Sequence, residues 1–135
     1  MPAPQSETSV VEREVRIEAE PEVVFPFFTE PEKMVRWMGI GATLDPRPGG
    51  VFSVNMVAQH VNIGEYLAIE PHTRIVFTWR SPTAGEGSRV TLRFADAPGG
   101  QTQLILEHEG LPDAEVRSDH HSGWSHILME LSALD

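Results

Sequence analysis

The chain contains no cysteine in its 135 residues. That removes disulfides, thiolate chemistry and sulfur-ligated metal from consideration, and it fits a reducing, cytoplasmic setting. No run approaches the roughly 18 apolar residues of a membrane span, so no integral membrane contact is expected. Positive charge is scarce: 10 basic residues stand against 20 acidic ones, a formal net charge of -10. A nucleic-acid binder needs a basic face to displace phosphate counterions, so nucleic acid is not an expected partner. The first residues, MPAPQSETS, lack both the basic start and the apolar stretch of an export signal. Residues 1–9 read as a flexible tail and residues 10–135 as one domain. The chain also carries no cofactor motif. Its Pro-Gly-Gly run lies in a hairpin rather than opening a helix, and no serine sits in a nucleophile elbow.

What is present is periodicity. Val11, Val15 and Ile17 alternate with charged residues, which predicts a half-buried strand from Val10 to Ile17. Glu20-Pro21 and Glu30-Pro31 each open a short helix, with proline where its missing N–H matters least. Pro26 falls inside the first and predicts a kink or an early end. From Ala42 to Glu109 the chain breaks into short strands: Ala42–Leu44, Val51–Val57, Ile63–Ile69, Arg74–Arg80, Val90–Phe94 and Thr102–Glu109. Gln59 to Asn62 and Ser81 to Gly87 are expected as loops, and Asp45 to Gly50 as a tight turn. Short connections imply an antiparallel meander, and a sheet of that width must curl. From Ser118 onward, Trp124, Ile127, Leu128, Leu131 and Leu134 recur at helical spacing and form one apolar stripe. A helix with one stripe needs a surface to lie on, and the concave side of the sheet supplies it. The predicted class is α+β: about six or seven antiparallel strands wrapped around a long C-terminal helix, with two short helices after the first strand.

These pieces resemble, in order and over nearly the whole chain, the SRPBCC or START-like superfamily with its helix-grip fold. Within it they are similar to the family named for homologues of the activator of the ninety-kilodalton heat-shock chaperone ATPase. The resemblance is carried by AEPEVVFPFFTEPEKMVRWM (residues 19–38), RPGGVFSVNM (47–56), GEYLAIEPHTRIVFTW (64–79), LILEHEGLPD (104–113) and HSGWSHILMEL (121–131). The chain departs from the pattern at Pro26, where an unbroken helix is expected. The resemblance implies a fold and a cavity rather than an activity, because one fold hosts many functions.

The expected ligand is a small apolar or amphipathic molecule between sheet and helix. Inward parity nominates Trp37, Met56, Phe77, Trp79, Leu92, Leu106, His108, Trp124 and Leu128 as lining residues. Tyr66 joins them if a bulge near Gly64 turns it inward, its hydroxyl then serving as a ligand donor. His121, just before Gly123-Trp124, is expected near the cavity mouth. His108 shares a face with Leu104 and Leu106, so its ring needs a partner inside, whether a ligand, a proton or backbone. Trp124 is read first as the anchor of helix on sheet and second as a stacking surface. His120, His121 and His126 lack the four-residue spacing of a helical metal pair, so no metal site is expected. Arg80 and Glu107 are expected to form an exposed cross-strand pair. Two other classes stay open: a cyclase- or dehydratase-type enzyme using a cavity histidine or acid, and an interaction module touching a chaperone. A homodimer also stays open.

Overall fold

A computed structural model describes residues 10–38, 41–57, 60–81, 85–111 and 113–132, and their side chains except at 56–62 and 81–87. Seven strands form one antiparallel sheet: β1 Val10–Ile17, β2 Gly41–Leu44, β3 Val51–Val57, β4 His60–Glu70, β5 Arg74–Ser81, β6 Gly85–Ala97 and β7 Gln101–Glu109. The order across the sheet is β1-β7-β6-β5-β4-β3-β2. Strands β2 to β7 therefore meander, and the first strand returns to pair with the last. The short helices α1 (Pro21–Val24) and α2 (Pro31–Met34) follow β1, and α3 (Ala114–Ser132) closes the chain. This is the curved sheet and terminal helix of the helix-grip fold.

Local chemistry explains the boundaries. Pro26 cannot donate a backbone bond, and the chain after Val24 tightens into a 3₁₀ turn over Phe25–Phe28 instead of continuing α1. Helix α3 begins at Ala114, four positions before the expected Ser118. The Asp113 carboxylate accepts from the Val116 N–H at 2.9 Å, capping a first turn that the apolar stripe does not mark. Strands β4 and β6 are longer than expected. His60 to Asn62 pair with β3, and β6 begins at Gly85, so the presumed loops shrink. Gly64 makes the β4–β5 approach feasible, since a Cβ there would lie 2.0 Å from the Thr78 carbonyl oxygen.

Helix α3 runs closest to β1, and its side chains span the remaining distance to the middle of the sheet. Trp124, Leu128 and Leu131 are buried and Ile127 is half-buried, while Leu134 lies outside the described residues. On the outer face the ion pairs differ from expectation. Strand β6 separates β5 from β7, so Arg80 and Glu107 are not neighbours. Glu107 pairs with Arg93, and Glu109 pairs with Arg89 at 2.7 Å.

Candidate functional site

Strand register builds the concave floor. His108 on β7 lies between Val11 on β1 and Val90 on β6, and Val90 faces Phe77 on β5. One row along, Leu106 lies between Arg13 and Leu92. Because side chains alternate, Arg13 shares the inner face of β1 with Val11, Val15 and Ile17, a position the valine–isoleucine pattern alone did not reveal. Its Nε is buried and has no hydrogen-bond partner among the described residues.

An aromatic chain crosses this floor. Phe52 stacks on Phe77 with ring centroids 3.9 Å apart, and Phe77 lies 6.2 Å from Trp79. Trp79 lies 5.0 Å from Trp124 of α3 and 5.8 Å from His108. Phe52, buried and central to this run, is not among the expected lining residues, although it shares the parity of Met56 on β3.

His108 is fully buried. The Trp124 indole N–H donates to His108 Nδ1 at 3.0 Å. An indole can only donate, so Nδ1 is an acceptor here and the neutral ring carries its proton on Nε2. That Nε2–H is buried without a partner among the described residues. Burial pushes the His108 pKa down to about 3, with His120 adding to the effect. The ring is therefore neutral, and a donor, across the physiological range. His120 reaches this corner because it precedes Trp124 by one helical turn. Its ring meets that of His108 edge-on at 5.2 Å, and its Nδ1 bonds the Val116 carbonyl at 2.9 Å. His121, expected at the cavity mouth, is exposed. The stripe continued backwards from Trp124 passes through His120 and Val116, and that extension was the missed signal.

Trp79 is also buried, and its indole N–H has no partner among the described residues. Its backbone carbonyl accepts from the Ser88 hydroxyl, which fixes the strand pair beneath the ring. Two expected lining residues are committed elsewhere. Trp37 donates to the Phe27 carbonyl at 3.0 Å and packs on Phe28, tying α2 to the 3₁₀ turn. Tyr66 faces inward, but its hydroxyl donates to the Phe28 carbonyl at 2.9 Å, and burial raises the phenol's pKa. It holds the α1–α2 segment on the sheet and has no proton to offer a ligand. Leu92, Leu106 and Leu128 are buried on the facing surfaces. The Met56 side chain lies outside the described residues. Among the described residues no three histidine or acid side chains gather as a metal set.

The family model for activator of Hsp90 ATPase homolog 1-like proteins matches residues 18–134. The chain belongs to this AHSA1-like family. A solved AHSA1-like protein from Rhizobium etli is 36% identical and superposes with a TM-score of 0.73 over 91% of this chain and 79% of that one. A structure described as an Hsp90 activator from Plasmodium falciparum is 26% identical, with a TM-score of 0.79 over 91% and 93% of the two chains. An uncharacterised protein of Schizosaccharomyces pombe is 32% identical over 95 residues, 68% of this chain. The AHSA1-like chain spans only 27% of that relative's length.

Proposed function

We propose that this AHSA1-like domain binds a small, mostly apolar molecule between the inner face of the sheet and helix α3. The observation that carries the reading is the His108 Nε2–H, a fully buried donor with no partner among the described residues. An unmet buried donor costs about 1–3 kcal/mol, and such groups are rare in native proteins. A ligand acceptor removes that cost, and the surrounding Trp79, Trp124, Leu106 and Phe77 supply apolar surface worth about 25 cal/mol per Å² covered. The lowered basicity of His108 argues against a proton-accepting enzyme, because a general base works best with a pKa near the operating pH. The lack of cysteine fits action in the cytoplasm.

A chaperone contact is the second reading. It is favoured by the P. falciparum neighbour's description as an Hsp90 activator and by three exposed apolar residues, Val51, Ile63 and Leu67, on neighbouring strands β3 and β4. Native mass spectrometry of the protein as purified separates the two. Ligand binding predicts a second species heavier by a few hundred daltons that collapses to the chain mass on denaturation. A single species at the chain mass, together with a stable complex with purified Hsp90, favours the chaperone reading.

A further inference from the structure

The Trp79 indole N–H and the His108 Nε2–H are two buried donors without partners among the described residues, in rings whose centroids are 5.8 Å apart. Both residues are more than nine-tenths buried. The two rings are neighbours, and N–H groups on neighbouring rings share one oxygen when each nitrogen lies about 2.9 Å from it. We propose that these two N–H groups jointly hold the carbonyl oxygen of an otherwise apolar ligand: a ketone, ester or amide flanked by aromatic or aliphatic groups. This rests on the ligand-binding reading above.

Three observations select the carbonyl. Both groups are donors: an indole always is, and the Trp124 N–H on Nδ1 forces the His108 proton onto Nε2. A methylene or an aromatic edge would leave both donors unmet. A trigonal carbonyl oxygen has two in-plane lone pairs and accepts twice, as a main-chain carbonyl does. Finally, both donors are uncharged. A carboxylate placed there would lose its hydration without gaining a countercharge from either ring. Arg13, on the inner face of the edge strand β1 and half-buried, makes the carboxylate the competing class. His120 donates from Nδ1 to the Val116 carbonyl, which leaves its own Nε2 an acceptor, yet the His108 Nε2–H makes no hydrogen bond among the described residues.

The experiment compares three probes of similar shape: benzophenone, diphenylmethane and diphenylacetate. Binding is read from tryptophan fluorescence and from the infrared carbonyl stretch of 13C-labelled benzophenone. The proposal predicts that benzophenone binds at least about tenfold tighter than diphenylmethane, the worth of one to two net hydrogen bonds. Its carbonyl band should shift to lower wavenumber than in hexane. Trp79→Phe, which keeps an aromatic ring and removes the donor, should erase most of the ratio while diphenylmethane still binds. Equal affinities with an unshifted carbonyl band overturn the carbonyl assignment and leave the pocket standing. Tighter binding of diphenylacetate overturns it in favour of an anion at Arg13. Binding of none of the three overturns the pocket reading itself. The infrared arm uses the unaltered protein, so a variant that fails to fold does not decide the outcome.

Discussion

Trp124 of the terminal helix and His108 of the last strand are joined by a 3.0 Å hydrogen bond in which the indole donates to Nδ1. This one contact sets the tautomer of His108 and docks α3 on the sheet. The polar chemistry of the concave face follows from it.

Replacing Trp124 by Phe keeps a ring against Trp79 but leaves His108 Nδ1 without its donor. The expected loss is about 1–3 kcal/mol. Trp124→Ala also removes the packing and should cost about 3–5 kcal/mol. Urea unfolding of the two variants measures both. A Phe variant as stable as the parent would mean that the hydrogen bond adds nothing beyond the ring.

His108 also predicts a pH dependence. Its ordinary pKa of 6.5 applies in the unfolded chain, and burial lowers it to about 3 in the folded one. Between those values the unfolded state binds the proton and the native state does not. Stability is therefore fully present above pH 6.5, falls as pH drops through the window, and levels off below about 3. From pH 7.5 to 5, before most carboxylates titrate, the expected loss is about 2 kcal/mol. Urea midpoints across that range measure it. His108→Phe should flatten the profile, and an unchanged slope in that variant would assign the effect to other groups.

Gly123 sits inside α3, and a Cβ built there would meet nothing within 4 Å. Gly123→Ala should therefore stabilise the protein by about 0.5–1 kcal/mol through helix propensity, with probe binding unchanged. A rise in melting temperature with lost binding would show that the glycine keeps space for a ligand beside Trp124.

Much of the architecture was legible from periodicity. Val10–Ile17 and Val51–Val57 matched their strands, and the stripe from Trp124 to Leu131 matched the buried face of α3, because alternation and the 3.6-residue repeat report burial directly. The ends of β4, β6 and α3 were not legible. His60 and Asn62 are polar and Gly85 is small, yet each pairs through backbone, and Asp113 starts α3 by a cap rather than by an apolar residue. Site residues were legible as inward-facing but not by what they bond. Tyr66 looked like a ligand donor and Trp37 like a lining residue, yet both are taken by carbonyls of the Phe27–Phe28 turn, Tyr66 from a segment far away in sequence. His121 looked nearer the site than His120 because the stripe was not traced back past Trp124. Parity gives a face; a partner requires the third dimension.

The most direct measurement is a titration of the three indole N–H signals in a 15N–1H NMR spectrum with benzophenone. The account predicts that the Trp79 N–H, unpartnered among the described residues, moves most, that Trp124 moves less, and that Trp37, already bonded to Phe27, stays in place. A saturating titration that shifts Trp37 or surface amides and leaves the Trp79 signal unmoved would contradict it.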